Sequence, residues 1–255
     1  MASMCALGPE AEHCQAYLAL PEAAAGPGVL LLHAWWGLTP FFCRVCERLA
    51  GEGFVALAPD LYRGATATSA AEAQALRFAL DDQQASREID AALKCLRSHS
   101  SCSGVLGVVG FSLGGYLALR LARRAGSAVS AVVVFYATEG GTFDTAQAAF
   151  LGHFAADDGC WAGARTVCSL QNRLRASGCQ TCFHVYPGTR HAFFEQDRAE
   201  DYDARAADLA WRRTIAFLHT YLDSPSQAYV TLYDRASSYR PTQVGPPEIP
   251  VRPWV

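Results

Sequence analysis

Lysine is all but missing from these 255 residues: Lys94 stands alone, and arginine carries the rest of the positive charge. Charge of either sign is scarce, at 18% of residues, and 21 basic against 24 acidic residues leave a net charge of −3. Without a basic excess the chain lacks what draws proteins to phosphate backbones, so no nucleic-acid partner is expected. No apolar run approaches the roughly 20 residues that span a bilayer, so no membrane partner is expected either. Residues 1–17 hold neither a basic region nor a continuous apolar one, so no export signal is read and a cytoplasmic location is expected. The low charge and a 51% hydrophobic content exclude disorder as a description of the whole. A chain this long can bury about 70–75% of its unfolded surface around its own core.

Cysteine, by contrast, is plentiful: there are ten. A domain of this size needs no covalent staples, and in a reducing compartment the thiols are expected to be free. Cys43/Cys46 and Cys179/Cys182 form two C-x-x-C pairs, but the pairs lie too far apart in the chain for a usual zinc ribbon or finger. Cys43 and Cys46 sit inside an apolar helical pattern, where cysteine behaves as a small hydrophobe. Packing is the expected role, and no metal or organic cofactor is implied.

Short apolar runs alternate with longer amphipathic stretches. Residues 14–20 read as a half-exposed edge strand. Residues 29–33, 54–58, 105–109, 131–136, 150–154 and 182–186 read as further strands, several of them apolar on both faces. Between them, residues 42–51, 69–98 (two helices), 113–124, 164–176 and 202–222 show helical spacing. Strands alternating with helices of this length specify an α/β fold with a mostly parallel, doubly wound sheet covered on both faces. Residues 1–222 are read as one domain. Residues 223–255 hold half of all the prolines and are read as an extended C-terminal tail. Docking of that tail on its own domain, or use of it as a dimer arm, leaves the protein a monomer or a homodimer.

The chemistry concentrates at Gly110-Phe111-Ser112-Leu113-Gly114, a G-x-S-x-G pentapeptide between a buried strand and a helix. That context holds a serine on a sharp strained turn with its hydroxyl exposed. The helix N-terminus behind it favours developing negative charge. A serine hydroxyl is inert without a base. Of seven histidines, His191 lies in what reads as a loop after the last strand, residues 186–194, at the carboxyl end where parallel sheets bind ligands. Asp157 and Asp158 follow the preceding strand in the same way, and either could orient the base. The order serine, aspartate, histidine is that of α/β-hydrolases. A second oxyanion donor besides the Leu113 N–H is expected from the loop His33-Ala34-Trp35-Trp36-Gly37, and the side chains of Trp36, Phe41 and Phe42 are expected to line the substrate crevice.

The runs HAWWGL (33–38), GFVALAPDLYRG (53–64), GFSLGG (110–115), LGHFAADD (151–158) and YPGTRHAFF (186–194) together resemble the dienelactone hydrolases. The resemblance implies a single domain without a large cap and a small ester or lactone as substrate. It also implies Asp158 as the acid partner of His191, and the N–H groups of Trp35 and Leu113 as the oxyanion hole. The chain departs from that family's type in three places. Ser112 stands where the type carries cysteine, Ala34 where it carries glutamate, and Glu195 where an arginine usually follows the histidine by four residues.

The reading is therefore a carboxylic ester hydrolase acting through Ser112, His191 and Asp158. An acyltransferase or C–C hydrolase with the same three residues is the alternative within enzymes. A catalytically silent binding protein is the alternative outside them.

Overall fold

Strands rich in valine, leucine and alanine form the centre of the sheet because neither of their faces tolerates water, whereas the strand at one edge is largely exposed. The computed structural model describes residues 1–8, 14–23, 25–159 and 162–223. In it β3 (Gly26–Leu32), β4 (Val55–Pro59), β5 (Cys102–Phe111), β6 (Ala131–Phe135), β7 (Ala149–Asp157) and β8 (Thr181–Arg190) run parallel. Two antiparallel strands, β1 (Ala2–Ala6) and β2 (Gln15–Ala19), extend the sheet beyond β4, giving the order β1-β2-β4-β3-β5-β6-β7-β8. The helices are α1 (Pro40–Gly51), α2 (Ala70–Ala79), α3 (Asp82–Ser98), α4 (Leu113–Ala125), α5 (Ala164–Ala176) and α6 (Ala204–Leu222).

Alternation along the strands divides the core in two. Leu30, Leu32 and Val132 point to a cluster completed by α3, α4 and α5, while Val29, Leu31 and Val133 point to one completed by α1 and α6. Each fully buried phenylalanine or leucine in these layers contributes about 1.5–3 kcal/mol. Local signals start the helices where the sequence supplies them. Pro40 occupies the first turn of α1, Ser69 and Glu72 form a reciprocal capping box on α2, and Asp203 accepts the Ala206 N–H at 2.8 Å to start α6.

The α/β expectation holds, with two corrections to its details. Residues 14–20 do not form the edge, because β1 pairs along the outer side of β2. That strand is almost wholly exposed and so carries no alternation to announce it. Residues 186–190 are not loop, since β8 continues to Arg190 after an irregularity between Ala155 and Asp157 of its partner β7. His191 is thus the first residue beyond a strand, held by that pairing. The proline-rich segment 224–255 lies outside the described residues. No helix among the described residues is long and apolar enough to cross a membrane.

Candidate active site

Ser112 sits between the last residue of β5 and the first of α4, with φ 51° and ψ −111°. A side chain in that left-handed region is strained, and the surroundings hold it there. The Ser112 N–H donates to the Phe135 carbonyl at 3.0 Å, and the Ser112 carbonyl accepts from the Tyr116 N–H at 3.0 Å. The flanking glycines are required by close approach. A Cβ on Gly110 would stand 2.3 Å from the Gly114 carbonyl oxygen, and one on Gly114 would stand 2.1 Å from that of Leu32. Glycine at 114 therefore lets the start of α4 rest directly on the end of β3. Serine is exposed by only 4%, at the floor of a cavity rather than on an open surface.

The Ser112 Oγ lies 2.8 Å from His191 Nε2, and His191 Nδ1 lies 2.8 Å from Asp158 Oδ1. With Asp158 ionised, Nδ1 carries a proton and donates it to the carboxylate, which leaves Nε2 free to accept from serine. Asp158 is buried and Asp157, one residue earlier at the end of β7, is exposed. The two aspartates thus face opposite ways, and only Asp158 reaches the imidazole.

Leu113 opens α4, and its N–H belongs to the first turn, where no intrahelical acceptor exists. The loop after β3 that carries Trp35 is pinned by His33, which is fully buried. The Leu61 N–H donates to His33 Nε2 at 3.3 Å, so Nδ1 carries the proton and donates to the Ala34 carbonyl at 2.7 Å. Burial lowers the His33 pKa, which keeps the ring neutral and able to make both bonds. Gly37, at φ 91°, then closes the turn by donating to the Ala34 carbonyl.

Above Ser112 and His191 lies a cavity of about 140 Å³, with Trp35, Trp36, Glu195 and Arg198 in its walls. The two indoles meet edge to face at 5.2 Å, and the Arg198 guanidinium lies 3.6 Å over the Trp36 ring. Phe41 and Phe42 do not line this cavity. Both are buried in the α1–α6 cluster, where Phe42 packs on Phe111 and Phe41 on Phe194. Helical spacing marked them as apolar without telling which face of α1 looks at the sheet.

Sequence reasoning noted Glu195 only as a departure from a family pattern. It is 1% exposed, and its Oε1 accepts the Tyr136 hydroxyl at 2.7 Å. Its Oε2 is buried and has no hydrogen-bond partner among the described residues. Burial, reinforced by Asp197 and Asp201, pushes the carboxyl pKa up to about 8 against the opposing pull of Tyr136 and Arg198. The Tyr136 ring in turn packs 4.8 Å from the His191 ring, so carboxyl, phenol and imidazole form one cluster. A glutamate and an arginine in the turns after a predicted catalytic histidine are the only sequence sign of it.

The remaining histidines do other work. His153 is buried between the hydroxyls of Tyr186 and Thr214 at 2.8 and 3.0 Å, well below its ordinary pKa because of burial, and His99 caps its own loop. His184 and His219 lie on β8 and α6, facing Cys182 and Asp223; His13 lies outside the described residues. Of the C-x-x-C pairs, Cys46 is a core side chain of α1 and Cys43 is half-buried beside it. Cys179 is buried before β8 and Cys182 is exposed on it.

The model of the dienelactone hydrolase family matches residues 14–222. "Protein usf" of Aquifex pyrophilus is 31% identical over 216 residues, covering 81% of this chain and 93% of the relative. A carboxymethylenebutenolidase of a Pseudomonas species is 35% identical over 118 residues, covering 42% of this chain and 49% of its own. Among solved structures, a dienelactone hydrolase-like promiscuous phosphotriesterase from metagenomic libraries superposes with a TM-score of 0.78. It is 23% identical and covers 87% of this chain and 98% of its own, a likeness of fold.

Proposed function

The chain belongs to the dienelactone hydrolase family, and from that premise we propose that it is a serine hydrolase of small carboxylic esters or lactones. The observation that carries the proposal is the unbroken relay from Ser112 Oγ through His191 to Asp158, each step 2.8 Å. Ser112 attacks the carbonyl carbon as His191 Nε2 takes its proton. The resulting oxyanion is held by the N–H of Leu113 at the start of α4 and by that of Trp35 in the His33-pinned loop. His191 returns the proton to the departing alkoxide, leaving an acyl-serine. A water then enters, gives its proton to His191, and releases the acid while Ser112 recovers its hydrogen. Asp158 fixes the tautomer and steadies the imidazolium in both halves.

A serine and a relay of this kind need no glutamate at position 34. Ala34 is fully buried, and a carboxylate there would be desolvated without a thiol to act on. A site of about 140 Å³ bounded by two tryptophans suits compact acyl groups.

Labelling with a fluorophosphonate followed by peptide mapping tests this directly. The label is expected on Ser112, and Ser112→Ala and His191→Ala are each expected to lower hydrolysis of a short-chain aryl ester at least about a thousandfold. A label on another residue, or activity within tenfold of wild type in either variant, overturns it.

A further inference from the structure

The cavity over Ser112 holds about 140 Å³, less than half the lower end of the roughly 300–1,000 Å³ usual for drug-sized ligands. Two segments of chain wall it: the loop after β3, which carries Trp35 and Trp36, and residues 192–203 after His191. The second segment is a run of turns bonded to one another. The Arg198 N–H donates to the Glu195 carbonyl, the Tyr202 N–H to the Arg198 carbonyl, and the Asp203 N–H back to the Phe193 carbonyl, each at 2.9 Å. Side chains tie this segment to the loop after β3. Thr39 Oγ1 donates to Asp197 Oδ2 at 3.3 Å, and the Arg198 guanidinium lies 3.6 Å over the Trp36 ring.

We propose that Arg198 is a positioning residue that sets the size of the substrate, by holding the Trp36 indole in the cavity wall. Esters and lactones with short arms fit as the wall stands, whereas a longer arm must push the indole off the guanidinium. This rests on the hydrolase reading above and adds the residue that decides how large its substrate can be.

The surroundings of the pair agree. The Arg198 side chain is only 18% exposed, and its Nε is buried with no hydrogen-bond partner among the described residues. The carboxylate of Asp197 comes no nearer to that nitrogen than 3.9 Å. The indole face is therefore what the guanidinium is packed on. Such stacking uses both the charge and the planarity of arginine, and it strengthens where water is excluded. The loop's main chain is held from elsewhere: the Trp36 carbonyl accepts the Ala67 N–H at 3.0 Å. What Arg198 adds is the placement of the ring. A carboxylate on the substrate would have to displace the indole from Arg198 and approach beside Asp197 and Asp201.

Two pairs of esters test the size role. Phenyl acetate against phenyl hexanoate lengthens the acyl arm, and ethyl against hexyl acetate lengthens the alcohol arm. The readout is the ratio of kcat/KM, long over short, within each protein, so losses common to all esters cancel. Spontaneous hydrolysis is subtracted. The wild type is expected to disfavour the long member of at least one pair. For that pair Arg198→Ala should raise the ratio about tenfold, the effect of losing one desolvated guanidinium–indole contact. Trp36→Ala should raise it at least as much. Adding Arg198→Ala to Trp36→Ala should then change it by less than about twofold, because Arg198 acts through the ring. Arg198→Lys, which keeps a cation without the planar fork, should fall between wild type and Arg198→Ala.

A wild type indifferent to length in both pairs overturns the proposal. So does an Arg198→Ala ratio within about twofold of wild type in both, or an Arg198 effect that persists in the Trp36→Ala background. A preference for phenyl hydrogen succinate over phenyl pentanoate that Arg198→Ala abolishes would make Arg198 an anion receptor, and overturns it too. If Ser112 takes the fluorophosphonate label in every protein, such a result strikes the size role alone. An unlabelled Ser112 with no ester hydrolysed by the wild type would remove the hydrolase reading and this one with it.

Discussion

The Tyr136 hydroxyl donates to Glu195 Oε1 at 2.7 Å across 59 residues of chain, while its ring packs against His191. One phenol thus ties a buried carboxyl to the base of the relay. Tyr136 is held for this at φ 40°, with its own N–H bonded to the His153 carbonyl at 2.7 Å.

Tyr136→Phe keeps the ring and removes only the donor. Because that hydrogen bond lowers the Glu195 pKa, its loss should move the Glu195 titration above 8, and with it the pH at which the Glu195-linked decline in stability ends. A buried carboxyl deprived of its partner should also cost about 1–3 kcal/mol of folding free energy in denaturant titrations. A stability decline that ends at the same or a lower pH in urea denaturation would show that the hydroxyl does not hold the carboxyl.

The two adjacent aspartates should separate cleanly. Asp158 is buried and bonded to His191 Nδ1; Asp157 is exposed at the strand end. Asp158→Asn, which spoils the tautomer, is expected to lower kcat about a thousandfold or more with little change in KM. Asp157→Asn should stay within about twofold of wild type. Equal losses, or the reverse ranking, would place the relay on the wrong carboxylate.

What could be read in the sequence is what is contiguous or strictly ordered. The pentapeptide around Ser112 needs its glycines, strand and helix next to one another, so it announces itself. His191 and Asp158 follow from the order of strand ends, but which aspartate turns inward depends on a strand boundary, and that came only from family likeness. Glu195 and Tyr136 could not be paired in advance. They meet because the sheet brings the residue after β6 beside the turn after β8, a proximity no local pattern encodes. Phe41 and Phe42 failed for a related reason. An apolar helical face says that a residue is buried, not whether it is buried under substrate or under the sheet. The exposed strand β1 has neither burial nor alternation, so its pairing partner alone defines it.

Glycine substitutions should show opposite signs at two positions. Gly114→Ala drives a Cβ to within 2.1 Å of the Leu32 carbonyl oxygen, where only backbone can yield, and α4 must lift off β3. A loss of about 3 kcal/mol or more is expected, with activity lost alongside. Gly51, at the end of α1, has nothing within 4 Å of an added Cβ. Gly51→Ala should stabilise by about 0.4–1 kcal/mol by restricting the unfolded chain. Similar midpoints in urea for the two variants would contradict the close packing of α4 on β3.

Stability itself should depend on pH through the same buried groups. Glu195 titrates near 8 when folded and near 4.5 when unfolded, so between those values the folded chain holds a proton that the unfolded chain has released. Its contribution therefore declines as pH rises through that window, by about 1.4 kcal/mol per pH unit. His33 and His153 behave in the opposite sense. Burial lowers both below the ordinary value of 6.5, so under more acidic conditions the unfolded chain takes up protons that the folded one refuses. Two such sites can outweigh one carboxyl below about pH 6.5, and above it the carboxyl acts alone. From these three groups, stability measured by urea denaturation should peak near pH 6.5 and fall on both sides. Glu195→Gln should remove the decline between about 6.5 and 8 while leaving the acid side steep. A difference between wild type and Glu195→Gln that is constant across pH 6.5 to 8.5 would mean that Glu195 is ionised throughout, against the effect of its burial.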